Sequence, residues 1–237
     1  MGKVALIVDE LMEQITTKKL LPGAKLPSEN QLADKYKVPR FTIREAFNKL
    51  EERGYIYSEQ GKGRYLKEES VSVQMSLSSK TSFTEKMNAL GYDHCTQNIS
   101  CTPIDYDPVI YETLSAEKSE SVYQIGRLRL INGEPIAIHY SYVKEAQFPS
   151  IGDDGPAVLS MFRYYRAHGI QQFSSRKSLL NVTFPTSREQ KLLHCGSMVP
   201  LIEIVSDSIN AENGNVLEYT RILYRSDKFK YDITSDI

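Results

Sequence analysis

A connector of only two residues, Lys37-Val38, separates two amphipathic stretches in the first quarter of the chain, and no other feature restricts the fold as much. Upstream, Val4, Ile7, Val8, Leu11 and Ile15 recur at three- and four-residue steps, which predicts a helix over 3–19. Leu21-Pro22-Gly23 ends it. Pro27-Ser28 opens a second helix, with Ser28 as N-cap, Gln31 completing a capping box, and Leu32 and Tyr36 facing inward. Pro39 fits the first turn of a third helix, where a missing N–H does no harm. Ile43, Ala46, Phe47 and Leu50 form that helix's buried stripe, and Gly54 closes it. Tyr55-Ile56-Tyr57-Ser58 and Arg64-Tyr65-Leu66 read as strands around a turn at Gln60-Gly61-Lys62-Gly63. Helix, helix, short turn, helix and small hairpin is the order of a winged helix-turn-helix.

The charge follows the same division. The whole chain carries a formal net charge of −1, which by itself argues against a nucleic-acid partner. Yet residues 35–67 hold nine Lys or Arg against four Glu, a local excess of five positive charges. Arg40, Thr42 and Arg44 stand at the start of the third helix, and a recognition helix contacts base edges with its N-terminal residues. Arginine there reaches guanine O6 and N7 as a pair or clamps phosphate, and Thr42 can donate to phosphate. The Gly61-Lys62-Gly63 tip brings backbone N–H groups and an ammonium close to a duplex. The helix start at Ser28 presents further N–H groups.

Leu26-Pro27-Ser28-Glu29, Thr42-Ile43-Arg44-Glu45-Ala46, the Leu50 and Gly54 pair, and Gly61-Lys62-Gly63 together resemble the DNA-binding domain of the GntR family of bacterial transcription regulators. The resemblance covers the first 66 residues. It implies DNA contacts from Arg40, Thr42, Arg44 and the Gly61–Gly63 tip, with Ser28 and Asn30 near phosphates. Two positions depart from the family. Pro39 stands where Ser or Thr is usual, and Arg64 stands where a small polar residue is usual; Arg64 could replace the phosphate affinity that Pro39 forfeits.

Ser70 to Ser79 is Ser-rich with small apolar residues at alternate positions, and reads as an extended linker, with pairing as an edge strand the alternative. The expected division is a DNA-binding domain over 1–69, a linker over 70–80 and an effector-binding, dimerising domain over 81–237. Ser82-Phe83-Thr84-Glu85 has a capping-box pattern, and its helix start, with hydroxyls at Ser82 and Thr84, suits an anion. Two strands, Ser121–Ile131 and Pro135–Val143, flank Asn132-Gly133. A three-residue loop, Asn132-Gly133-Glu134, pairs Arg129 with Ala137, Arg127 with His139 and Ile125 with Ser141. It leaves Leu128, Leu130, Ile136, Ile138 and Tyr140 on the opposite face, and a two-residue loop does not separate the faces in this way. Arg127, Arg129, His139 and Ser141 then share one face, and paired arginines attract an anion. Val158–His168 reads as a helix, Phe173–Val182 as a strand and Thr186–Leu193 as a capped helix. Leu201–Ser208 and Val216–Arg225 read as strands, which makes the fold class α+β with an antiparallel sheet.

This half resembles UTRA, the ligand-sensing domain of the HutC branch of the GntR family, over about residues 81–232. The carrying residues are Ser82-Phe83-Thr84-Glu85, Arg127 with Arg129, Gly133-Glu134-Pro135-Ile136-Ala137, Ser141-Tyr142, Leu217-Glu218-Tyr219 and Tyr224-Arg225. The resemblance implies a small metabolite, often a sugar phosphate and in other members an organic acid. Ser82, Phe83, Thr84, Arg127 and Arg129 would hold its anionic group, and Ser160, Phe162, Glu218 and Tyr224 would line the rest. His139 replaces a glutamate frequent in relatives, which favours a neutral sugar phosphate or another anion over an aminosugar. Phe162 replaces a frequent tyrosine.

Enzyme signatures are absent from the sequence. His94, His139, His168 and His194 show no metal-ligand spacing, and there is no G-x-S-x-G elbow, P-loop or dinucleotide fingerprint. The adjacent His94-Cys95 and His194-Cys195 pairs do not form the separated nucleophile and base of a Cys–His site. No cofactor and no metal are expected. Cys95, Cys101 and Cys195 are odd in number, which fits a reduced, cytoplasmic protein. Asp9 and Glu10 interrupt any signal-peptide core, and the most apolar window, Met198 to Val205, contains Pro200 and Glu203, so no membrane segment is expected. The expectation is a ligand-responsive DNA-binding repressor, homodimeric because one recognition helix reads only a half-site of a palindromic operator. An activator of the same family, and a metabolite-binding protein or enzyme without DNA function, are the alternatives.

Overall fold

The computed structural model describes residues 2–67, 73–76 and 81–232, and its chain contacts divide into two compact units. The first comprises residues up to 72 with 184–190 and 195–199, and the second holds the remainder.

The first unit opens with α1 (Lys3–Thr16), α2 (Glu29–Tyr36) and α3 (Arg40–Glu52), followed by the hairpin strands β1 (Ile56–Glu59) and β2 (Gly63–Leu66). Ile7, Val8 and Leu11 of α1 meet Leu32 of α2 and Ile43, Ala46, Phe47 and Leu50 of α3 in one core, which Ile56 and Leu66 close. This is the winged helix-turn-helix. The Ser28–Gln31 capping box forms in both directions, at 3.3 and 2.8 Å. Two details differ from expectation. Helix α1 stops at Thr16 rather than 19, because the Thr16 and Thr17 hydroxyls bond back to the Met12 and Glu13 carbonyls and Lys18 turns left-handed at φ 56°. Pro39 is the extended N-cap of α3, at φ −62° and ψ 147°, rather than a first-turn residue.

The second unit runs β3 (Val73–Ser76), α4 (Phe83–Ala89), β4 (His94–Pro103), α5 (Pro108–Leu114), β5 (Val122–Ile131), β6 (Glu134–Lys144) and α6 (Ile151–Asp154). A 3-10 turn (Gly155–Ala157) leads to α7 (Met161–Ala167), β7 (Phe173–Ser174), β8 (Ser178–Thr183) and α8 (Ser187–Leu193), whose residues divide between the two units. The chain closes with β9 (Leu201–Asn210), β10 (Val216–Arg225) and β11 (Phe229–Asp232). Seven strands form one antiparallel sheet in the order β4-β5-β6-β10-β9-β7, with β8 also paired to β9. Most of the expected 70–80 linker lies outside the described residues; within it, β3 pairs in parallel with β11.

The β5–β6 hairpin carries the expected pairs: Arg129 faces Ala137, Arg127 faces His139 and Ile125 faces Ser141. The means differs. Asn132 and Gly133 are both left-handed, at φ 51° and 77°, and close a two-residue loop with Ile131 opposite Glu134. A bulge between Arg129 and Leu130 then shifts the register by one residue, and Pro135 beside it has no N–H to lose from the ladder. The bulge also sends Ile136, expected on the opposite face, into the cluster of Phe83, Met87 and Tyr224.

Two other expectations are corrected. Helix α7 begins only after Ser160, which is extended at φ −143° and caps it by accepting from Arg163 N. The expected Phe173–Val182 strand splits into β7 and β8 because Asp207 accepts the backbone N–H groups of Arg176 and Lys177, at 2.8 and 3.4 Å, in place of a strand partner.

On the sheet face that bears the arginines, two apolar clusters leave a gap. One cluster joins α4 to Ile131, Ala137, Ile204 and Tyr224. The other joins Ile125, Val143 and Leu217 to Phe148, Ile151, Met161 and Tyr165. Between them the alternating positions of four strands are polar.

Candidate DNA-reading surface and ligand pocket

The start of α3 projects Arg40 and Arg44, whose side chains are 61% and 57% exposed, with Thr42 half-buried beside them. Ser28, Asn30, Gly61, Lys62 and Gly63 are exposed as well. Gly61 and Gly63 turn the wing at φ 75° and 124°, which only glycine adopts without strain, and Lys62 rests on Glu59 at 3.0 Å. Ser28 spends its hydroxyl on Gln31 N. Arg64 departs from expectation. Its guanidinium turns inward, donating to Glu29 Oε1 at 2.8 Å and lying 4.8 Å over the Phe47 ring. It ties the wing to the helices instead of reaching outward. Sequence reasoning passed over Phe41, which stands 66% exposed between Arg40 and Thr42. An apolar side chain at the solvent-facing start of a recognition helix was the available signal.

Glu29 organises this surface. Arg44 grips it along one edge, Nε to Oε1 at 3.2 Å and Nη2 to Oε2 at 3.0 Å. Arg64 adds a third bond, and Arg40 Nη2 lies 3.7 Å away. Hydrogen bonding from Arg44, with Arg64 adding to it against the cost of burial, lowers the Glu29 carboxyl to about 2.

In the second unit the polar gap is a cavity of about 150 Å³. Strand β5 contributes Arg127 and Arg129, β6 His139 and Ser141, β10 Glu218, Thr220, Ile222 and Tyr224, and β9 Ile204, Ser206 and Ser208. Ser82 and Phe83 at the start of α4 and Ser160 and Phe162 at the start of α7 wall it. Nine of the ten expected ligand residues therefore converge: Ser82, Phe83, Arg127, Arg129, His139, Ser160, Phe162, Glu218 and Tyr224. Thr84 does not reach the lining, because it lies one residue beyond Phe83 on a helix that turns it aside. Sequence reasoning missed Lys86, Ser206, Asp207, Ser208 and Thr220. The alternation Ser206, Ser208 on β9 facing Thr220, Glu218 on β10 was the signal, legible only once that pairing is known.

The arginines are buried, at 4% exposure for Arg127 and 3% for Arg129, and their hydrogen-bond partners among the described residues are neutral. Arg127 donates to Ser141 Oγ. Arg129 donates to Thr96 Oγ1 at 2.6 Å and to the Leu159 carbonyl at 2.9 Å, and stacks 5.1 Å over Phe83. Among the described residues, the Nε atoms of both arginines, Nε2 of His139 and Oε2 of Glu218 have no hydrogen-bond partner. Burial, together with the charges of Arg129, Arg127 and Lys86, holds His139 well below its usual pKa, so the imidazole is neutral. Its ring packs edge-on against Phe83 and Tyr224, both at 5.5 Å. Glu218 hydrogen-bonds Ser208 at 3.0 Å. Such a site offers a small molecule two buried guanidinium groups with Lys86 beside them, a neutral imidazole, the Glu218 carboxylate and a row of hydroxyls. Among the described residues no cluster of three or more His, Cys, Asp or Glu could hold a metal, and no helix is long and apolar enough to cross a membrane.

Comparison with known proteins agrees with both halves. Residues 89–230 match the UTRA domain, and residues 4–66 match bacterial regulatory proteins of the gntR family. The chain is 28% identical to the mannosyl-D-glycerate transport/metabolism system repressor MngR of Escherichia coli, over 96% of this chain and 93% of that protein. It is 25% identical to the HTH-type transcriptional repressor NagR of Bacillus subtilis, over 95% and 91% respectively. The crystal structure of PhnF from Mycobacterium smegmatis shares the fold, with a TM-score of 0.59 at 18% identity over 96% of this chain and 98% of that one. The chain belongs to the GntR family in its UTRA-domain, HutC-type form, and is a ligand-responsive DNA-binding transcription regulator.

Proposed function

We propose that this regulator is a repressor released from its operator by a small anionic metabolite, with the phosphate ester of an otherwise uncharged sugar as the ligand class. The observation that carries the reading is the pair of buried arginines whose hydrogen-bond partners among the described residues are neutral and whose Nε donors find none there. An anion between them supplies the missing acceptors and charge. The hydroxyls of Ser206, Ser208 and Thr220 match a polyol, and neutral His139 adds no carboxylate to that of Glu218. Relatives named as repressors, one of them of a mannosyl-D-glycerate system, support a sugar-derived ligand.

Residues 1–69 are the operator-binding domain, 70–80 the linker and 81–237 the effector-binding and dimerising domain. Arg40 and Arg44 read or clamp the duplex, Phe41 meets a thymine methyl group, and Ser28, Asn30, Thr42 and the Gly61-Lys62-Gly63 tip touch phosphates. The chain acts in the cytoplasm without catalysis. It dimerises along β8, where Leu179, Leu180 and Val182 expose apolar surface on a sheet edge.

The test is DNA-binding anisotropy on the duplex upstream of the regulator's own gene, titrated with hexose phosphates, the parent sugars and inorganic phosphate. Release by one or more phosphorylated sugars at concentrations where their parent sugars are inert is expected. Release by amines or neutral sugars alone overturns the ligand class, and no salt-sensitive DNA binding at all overturns the operator assignments.

A further inference from the structure

We infer that Glu29 is a positioning residue for operator reading, holding Arg44 by one edge of its guanidinium so that the opposite edge meets the base. The inference rests on Arg44 being a base-reading residue. Glu29 is the first residue of α2, one helix away from the residues it binds, and its side chain is only 16% exposed while those of Arg40 and Arg44 are more than half exposed. It is therefore a fixed anchor beneath mobile cations. Arg44 spends Nε and one Nη2 hydrogen on the carboxylate, which leaves Nη1 and the outer Nη2 hydrogen as a free fork. That remaining fork has the two-donor spacing that guanine O6 and N7 accept. A free arginine side chain samples many rotamers, and ordering it on DNA costs free energy that the anchor removes in advance.

The same carboxylate performs a second task. Arg40, Arg44 and Arg64 would repel one another across this small surface, and Glu29 lies within 4 Å of all three. Arg64 comes from the wing strand β2, so its bond to Glu29 also sets the wing against α2 and α3. One side chain thus fixes two DNA-facing elements relative to each other. A carboxylate beside the phosphate backbone lowers nonspecific attraction, so this arrangement trades affinity for discrimination.

The experiment selects binding sites from a random-sequence duplex pool with the full-length wild type, Arg44→Ala and Glu29→Gln, and measures affinity for an unselected duplex by anisotropy. Arg44→Ala is expected to erase the preference at one base position in each half-site. Glu29→Gln is expected to weaken that same position by about tenfold while its affinity for unselected duplex stays equal or rises. A merely structural role would lower both affinities together, and that result overturns the inference. So does Glu29→Gln selecting the wild-type site at wild-type sharpness. If Arg44→Ala leaves every position sharp, the base-reading assignment of Arg44 fails and the inference with it. Thermal melting checks each fold; should Glu29→Gln unfold, Glu29→Asp, shorter by one methylene, carries the same prediction.

Discussion

Replacing Arg129 by methionine separates the cost of building the pocket from its use. The side chain is 3% exposed and its charge is disfavoured by burial first and by Arg127 second. Removing the guanidinium relieves a penalty of several kcal/mol for a buried ion. It also removes two charge-assisted hydrogen bonds, to Thr96 and Leu159, at roughly 1.5–3 kcal/mol each. The terms nearly offset, and methionine refills the volume over Phe83. The free protein should therefore melt within about 5 °C of wild type, taking roughly 2–4 °C per kcal/mol for a domain of this size. The ligand response is where the variants part. An anion at 100 times its Kd stabilises wild type by about 2.7 kcal/mol, a rise of about 5–10 °C, and Arg129→Met should lose most of it. The assay is a thermal-shift series in inorganic phosphate and hexose phosphates. A variant that keeps the full shift refutes the role of Arg129 in anion binding. A free variant that loses as much as a core truncation, about 2–5 kcal/mol, refutes the claim that its burial serves the ligand rather than the fold.

Three further outcomes are expected. Phe41→Ala should weaken operator binding, and replacing one operator thymine by uracil should weaken wild type several-fold but leave Phe41→Ala unchanged; equal losses in both proteins would remove Phe41 from base contact. His139 has its folded pKa depressed, so its stability contribution is present above the unfolded value of about 6.5 and is lost as pH falls through that value, where the unfolded chain takes up the proton first. His139→Gln should flatten the fall in melting temperature between about pH 7 and pH 5, and an unaltered slope would mean that another histidine sets it. Val182→Lys, a charge placed at a residue 68% exposed on β8, should shift the chain from dimer to monomer by light scattering while leaving its circular dichroism intact; an undisturbed dimer would move the interface elsewhere.

The winged helix was legible because every one of its local signals agrees with its tertiary role. The Ser28 cap, the stripe of Ile43, Ala46, Phe47 and Leu50, and the glycine turn of the wing each need no distant partner to be read. The hairpin was legible in its pairing for a different reason, since segregation of Arg127 and Arg129 from Leu128 and Ile138 allows one register only. Its loop was misread because a loop extended by one residue and a bulge inserted in the strand shift the register equally. What stayed hidden depends on long-range partners. Asp207 breaks the Phe173–Val182 segment from a strand that lies some 30 residues away in sequence. Arg64 looked like one more basic residue of the wing until Glu29, 35 residues earlier, claimed it. Strand β4 alternates His94, Thr96 and Asn98 with little apolar contrast and then bulges before Ser100, so its period was invisible without β5 beside it.

The two sites use one chemical group in opposite electrostatic settings. At the duplex-facing surface, Arg40, Arg44 and Arg64 gather on a carboxylate of the same chain, and two of the three remain largely in water. That surface orients its arginines before its partner arrives while leaving the outer edge of Arg44 open to it, and binding is governed by discrimination and by salt. In the pocket, Arg127 and Arg129 are almost wholly buried and, among the described residues, donate to hydroxyl and carbonyl oxygens. There the charge is set in place before the ligand arrives, and the Glu218 carboxylate, which acts on both arginines through space, accepts its hydrogen bond from Ser208. A site of that kind gains from its anion both a salt bridge and relief of a burial penalty, so one small ligand can bias the conformational equilibrium by the 1–3 kcal/mol that allosteric coupling typically requires. Adding a carboxylate to the pocket should therefore do what the metabolite does. His139→Glu would place one opposite Arg127 on the paired strand, and the variant should melt higher in the free state and respond less to phosphate. If it instead melts lower and still responds fully, the arginines are not waiting for negative charge, and the anionic ligand class falls with them.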